Sequence, residues 1–233
     1  MADISSKFAA RLLLGAALAS LGLGACGDDD PGPKTPLPYA TGVERFSPGT
    51  GAGWGDNHFP EVVLGPPQGA LKSGAVADAD EVLSLGAGGE IVLTFAHDIV
   101  DGPGADFVVF ENSFWVRNDP KVVWFELAEV SVSQDGVSWL SFPCALEPTQ
   151  PGQWPGCAGW SPTKIYDPEA LVPLDPALTG GDAFDLATLG LERARYVRIR
   201  DLLKEGNSAL NNVGFDLDAV GVVHADASTS SNE

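Results

Sequence analysis

Apolar residues recur along this chain with a period of two, and 28 glycines and 18 prolines break it before a helix can run. Ile91, Leu93 and Phe95 alternate with Glu90, Val92 and Thr94, the pattern of a strand with one buried face. Residues 107–110 are apolar throughout, as a strand buried on both faces requires. Residues 125–133 read as a longer strand, which Gln134, Asp135 and Gly136 turn into residues 138–142. Val197 and Ile199 point inward from a strand whose other face shows Tyr196, Arg198 and Arg200. Residues 215–223 read as the final strand. Residues 201–206 form a turn at most. The pattern predicts an all-β antiparallel sandwich with long Gly/Pro-rich loops, and no internal repeat points to a propeller or solenoid.

The N-terminus predicts where such a sandwich folds. Lys7 and Arg11 precede an uncharged stretch, residues 12–25, that is too short to span a membrane. It ends in Leu23-Gly24-Ala25-Cys26, which resembles a lipobox, the bacterial motif whose cysteine is acylated and becomes the mature N-terminus. Residues 1–25 are therefore expected to be a lipoprotein signal peptide, and Cys26 the lipidation site. Residues 26–39 then hold the lipidated cysteine and a disordered, acidic and proline-rich linker. Residues 40–224 form the sandwich, and residues 225–233 a disordered tail. An acidic run just after the lipidated cysteine resembles surface-export signals, and Gly27 stands where an inner-membrane retention signal would place aspartate. The expected location is the bacterial cell envelope, lipid-anchored at the outer membrane, with exposure on the cell surface as the further reading.

Charge and cysteines narrow the partners. The net charge is −19, which disfavours nucleic acid, whose phosphates must be neutralised by Lys and Arg. It also leaves contact with an anionic membrane to the acyl chains. Many carboxylates stand available to a hard cation, or simply to solvent. With Cys26 acylated, Cys144 and Cys157 remain, an even number in an oxidising compartment. They bracket a loop carrying Pro148, Pro151 and Pro155, which a disulfide would pin.

Three segments resemble the galactose-binding-like jelly roll of discoidin domains and related carbohydrate-binding modules. They are residues 130–139, VSVSQDGVSW; residues 194–199, ARYVRI; and the closing strand, residues 217–222, LDAVGV. A longer resemblance, from about Phe46 to Val223, is to uncharacterised bacterial cell-surface lipoproteins and secreted proteins. It is carried by residues 83–89, 104–112, 180–187 and 214–220. The resemblance implies an antiparallel jelly-roll β-sandwich and brings no established activity.

In galactose-binding-like modules an acidic residue on the last strand, with an Asp-rich early loop, commonly holds a structural calcium ion. The resemblance thus implies a Ca2+ site made by Asp78, Asp80 and Asp218. Independently, Asp216 and Asp218 are two apart, which puts them on one strand face beside Val220 and Val222. Carboxylates so placed repel unless protonated, hydrogen-bonded or shared by a cation. Asp182 and Asp185 lie in a glycine-rich loop and read as turn caps before metal ligands. Asp106 and Glu111 flank the apolar strand at 107–110.

Trp54, Trp115 and Trp160 are candidates for a stacking platform against a sugar ring, the alternative being packing over the sandwich end. Arg198 and Arg200 are expected to pair with acidic neighbours on adjacent strands. His58, His97 and His224 stand in unrelated contexts, and no nucleophile or metalloprotease motif accompanies them. The expected function is a non-catalytic, lipid-anchored binding module for glycan, calcium-stabilised. The alternatives are a structural or adhesive envelope protein, surface capture of a small nutrient for an outer-membrane transporter, or a glycosidase with two carboxylates facing one cleft.

Overall fold

The computed structural model describes residues 38–68, 78–164, 174–202 and 214–226. The expected signal peptide, Cys26 and nearly all of the linker lie outside the described residues, as does the tail beyond Asp226. The strands are β1 (Ala40–Ser47), β2 (Leu83–Ser84), β3 (Glu90–Val100), β4 (Phe107–Glu111), β5 (Phe114–Trp115) and β6 (Val123–Trp124). They continue as β7 (Ala128–Ser133), β8 (Leu140–Ser141), β9 (Cys157–Ala158), β10 (Asp182–Phe184), β11 (Arg193–Asp201) and β12 (Asp216–Val222). The α-helix among the described residues is a single turn, α1 (Pro176–Thr179), capped by the Asp175 carboxylate on the Ala177 N–H.

All sheet pairings are antiparallel. The larger sheet runs β1-β3-β11-β7-β8 with β9 on β7, the smaller β10-β4-β12-β2, and β5 and β6 form a separate hairpin. The all-β sandwich is therefore as the period of two predicted. The two sheets face each other across Ile91, Leu93, Val130, Val132, Val197 and Ile199 from one side and Phe107, Val109, Phe184, Leu217, Val220 and Val222 from the other. Phe107 stacks on Phe184 at 5.1 Å and meets the edge of Phe142 at 5.8 Å between ring centroids.

The smaller sheet is buried on both faces. Val108, Phe110 and Ala219 point away from the main core and pack under Tyr39 and Leu174. This is what the uniformly apolar run at 107–110 demanded: all five residues of β4 are buried. The larger sheet turns its other face outward. Arg45 pairs with Glu90 at 2.6 Å, Arg198 with Glu90 at 3.8 Å and Arg200 with Glu129 at 3.0 Å. Arg198 and Arg200 of β11 thus find the cross-strand acidic partners expected of them.

The strand expected at residues 125–133 begins only at Ala128, and the fold departs from the sequence reading in two further places around β12. A register shift between Leu217 and Ala219 breaks the alternation of β12 against β4. Leu217, Val220 and Val222 share the main core, whereas Asp218 turns to the side of Tyr39 and Gln68. Asp218 is therefore no face-mate of Val220, because a bulge adds one residue and flips the side chains beyond it. The second departure is at the C-terminal boundary. Ala225 bridges Ile99, and Asp226 donates its N–H to the Asp98 carbonyl and pairs with Arg193, so the ordered chain runs past residue 224. At the other end the Pro38 carbonyl accepts from the Val222 N–H, and Tyr39 bridges Gly221.

The tight packing around Phe107 gives a direct test. Phe107→Ala should lower unfolding free energy by about 3–5 kcal/mol in urea denaturation, the usual cost of emptying an aromatic core site.

Candidate functional site

Two features of the sandwich stand out, a cavity on the exposed sheet and an acidic corner in the buried one. The cavity holds about 310 Å³ and is lined by Glu44, Arg45, Val92, Asp135, Gly136, Val137, Trp139 and Tyr196. Strand order places β1, β3, β11 and the β7–β8 turn side by side, so their outward residues form its floor and walls. Trp139 is fixed by Arg198, whose guanidinium carbon lies 4.6 Å from the ring centroid and which also donates to Ser131 Oγ at 3.2 Å.

Asp135 is the anchor of the β7–β8 turn. Its Oδ1 accepts the N–H groups of Ser138 (2.7 Å) and Val137 (2.8 Å) and the Ser133 hydroxyl (2.9 Å), and its Oδ2 the Ser138 hydroxyl. Those donors, the Ser138 amide first, hold its carboxyl well below the usual range. With both oxygens accepting, Asp135 is held as an anion that fixes the turn.

The sequence-predicted aromatics lie elsewhere. Trp54 is exposed on the loop before β2, its carbonyl accepting from the Ser84 N–H. Trp115 sits in the β5–β6 hairpin opposite Val123, with Lys164 Nζ 5.9 Å from its ring centroid. Trp160 packs on a small cluster of Leu127, Trp154 and the Cys144–Cys157 disulfide, and donates its Nε1–H to the Cys157 carbonyl at 3.1 Å. None of the three lines the cavity. Trp139 and Tyr196 do, and the signal for them was in the resemblance segments VSVSQDGVSW and ARYVRI, where they read as fold markers only.

The predicted calcium ligands are likewise spread. Asp78 and Asp80 are exposed in a turn that closes on itself, the Asp78 N–H donating to Glu81 Oε2 at 3.1 Å. Asp218 is only 2 % exposed, and both of its oxygens accept the Gln68 N–H, at 2.9 and 3.1 Å. Burial, reinforced by Glu81, pushes its carboxyl up to about 8.

Asp185 caps the Ala187 N–H in the turn after β10, as expected of it. Asp182 does not serve its own loop. Its Oδ2 reaches across to the N–H groups of Gly159 (2.7 Å), Trp160 (3.1 Å) and Ser161 (3.5 Å). Gly159 adopts φ +96°, and a side chain there would strike the Glu126 carbonyl, so this contact requires glycine.

That connection assembles the acidic corner. Glu111 ends β4, Asp182 begins β10, Asp216 begins β12, and Glu126 precedes β7. Glu111 is 2 % exposed, Asp182 3 % and Glu126 8 %. Burial pushes Glu111 well above the carboxylate range, and the charges of Asp216, Glu126 and Asp182 add to the shift. Burial raises Glu126 to about 8, with Asp216 adding, and Asp182 to about 7 against the three N–H donors that pull it down. Asp216 is raised by burial too, opposed by the Ser84 hydroxyl and by the Asn112 amide at 3.5 Å.

A third acidic group, Asp101, Asp106 and Asp185, has carboxylate oxygens within 4.8 Å of one another. Asp106 is wholly buried and fully engaged: Oδ1 accepts the Gly102 N–H (2.8 Å) and lies 2.9 Å from His224 Nδ1, and Oδ2 accepts the Leu186 N–H (2.7 Å). It is a tie between the β3–β4 loop, β10 and the end of β12.

No family model matches the chain, and no curated protein matches it.

The raised carboxyls make stability depend on pH with a definite sign. The native state keeps protons on Asp218, Glu126 and Asp182 that the unfolded chain releases near pH 4, so stability falls as pH rises from there towards about 8. In urea titrations with chelator present, the midpoint at about pH 8 should lie below that at about pH 5. Asp218→Asn should flatten part of that slope.

Proposed function

We propose that the protein is a lipid-anchored, extracytoplasmic, non-catalytic binding module whose larger sheet takes a glycan on its outward face. The observation that carries this reading is the cavity of about 310 Å³ in which two aromatic rings, Trp139 and Tyr196, stand beside Asp135, Glu44 and Arg45. A sugar presents an apolar C–H face and a rim of hydroxyls. Aromatic rings match the first, and carboxylate and guanidinium groups match the second. The jelly-roll, galactose-binding-like topology and the envelope location come from the sequence resemblance and the lipobox, and they agree with a sandwich presenting one face outward. Such a fold-level analogy is associational and names no particular sugar.

A second reading, docking to an envelope protein, is favoured by one feature. Val122, Trp124 and Phe125 are exposed together at the end of the β5–β6 hairpin.

A glycan array, followed by titration of the best ligand, tests the proposal. Trp139→Ala and Tyr196→Ala should each weaken binding about tenfold or more, the loss of roughly one aromatic contact. Silence across the array, or binding untouched by both substitutions, would reject the site. Cys26→Ser should move the protein out of the membrane fraction, and retention there would reject the anchor.

A further inference from the structure

We infer that the sugar taken by the larger sheet is an amino sugar with a free, protonated amine, and that Glu44 receives the ammonium. This inference rests on the glycan reading of the cavity and adds the chemical class of the ligand.

The backbone supplies the first argument. Successive side chains of a regular strand point to opposite faces, yet Glu44 and Arg45 of β1 both line the cavity. A register shift between Val43 and Arg45 accounts for this, because it makes Glu44 the extra residue of a bulge against β3. On the other side of β3 a second shift, between Ala194 and Tyr196, comes just before the tyrosine that lines the cavity. Bulges re-aim side chains beside functional sites. Here they flank one strand and bring a carboxylate and an aromatic ring to the same cavity.

The second argument is which charged groups remain uncommitted. Glu44 is exposed, and among the described residues its carboxylate makes no hydrogen bond or ion pair. Asp135, on the opposite wall, spends its oxygens on four donors of its own turn. Arg45 is engaged by Glu90 at 2.6 Å, and Arg198, against Trp139, by Ser131 and Glu90. An acidic sugar would therefore meet two guanidiniums already engaged and two carboxylates that repel it. An ammonium meets a free carboxylate, and a hydrogen bond between charged partners is about twice as strong as a neutral one. Two carboxylates against one guanidinium in the lining leave the balance negative.

The aromatic rings divide the remaining work. The Arg198 guanidinium already lies over Trp139, 4.6 Å from the ring centroid, whereas among the described residues no cation lies over Tyr196. Tyr196 is thus the ring whose π face is open to the ammonium, and Trp139 takes the C–H face of the sugar. The turn respects that ring. A Cβ at Gly136 would touch it at 3.6 Å, so the glycine keeps its approach clear.

Calorimetric titration of the purified full chain tests this with three probes of equal length: a glucosamine oligosaccharide, its N-acetylated counterpart and an oligouronate. Wild type should bind the free-amine form about tenfold or more tighter than the acetylated one. Added salt should narrow that gap, and the oligouronate should bind no better than the acetylated form. Glu44→Gln should bind the amine and acetylated forms within about twofold of each other. Being exposed and unpartnered, the site carries no folding risk. Trp139→Ala should weaken both. Glu129→Gln, on the same sheet but outside the cavity lining, should bind as wild type. Equal or tighter binding of the acetylated or acidic probe by wild type overturns the inference and leaves the glycan reading standing. A preference for the amine that survives Glu44→Gln overturns the role of Glu44. No binding of the amine form overturns the inference as well, and a silent glycan array beside it takes the glycan reading too.

Discussion

The double burial of the smaller sheet is the constraint on which the rest of this structure depends. β4 and β12 have the main core on one side and the Tyr39–Leu174 layer on the other. A strand with no wet face desolvates the polar side chains it carries unless something is built for them. Asp106 at one end of β4 and Glu111 at the other are both buried, 0 % and 2 % exposed. They show the two possible outcomes. Asp106 is satisfied by protein groups alone and knits three segments together. Glu111 is satisfied at one oxygen and left with another.

The two sheets consequently divide the work. The larger one faces outward with cross-strand ion pairs, Arg198 over Trp139, and a cavity between its outward side chains. Such exposed pairs contribute little to stability, typically below about 1 kcal/mol each, so this face is free to be shaped for recognition. The smaller sheet supplies the core, and its acidic corner couples folding to protonation. The disulfide and Gly159 serve that corner indirectly, by holding the loop whose amides feed Asp182.

Much of the fold was legible because burial leaves a period. The wholly apolar run at 107–110 announced a strand without a solvent face, and Asp135-Gly136 announced the turn it makes. Cys144 and Cys157 announced their bond by being an even pair around a proline-rich loop. The bulge at Leu217–Ala219 was not legible, since one inserted residue changes no side chain's chemistry and yet turns Asp218 away from Val220. The acidic corner was hidden for another reason. Its four members come from four separate segments, and only strand order brings residues 111, 126, 182 and 216 together. In a chain with 32 acidic residues, none of the four stands out on its own. Trp160 looked like a ligand platform because a loop tryptophan carries no label, and the disulfide beside it is what it covers.

The central claim, that burial holds protons on carboxyls at the smaller sheet's end that have no cationic partner among the described residues, is tested most directly by following the Glu111 carboxyl carbon by NMR through a pH titration. The account predicts a midpoint well above the ordinary 4.5. A midpoint at or below 4.5 would contradict it.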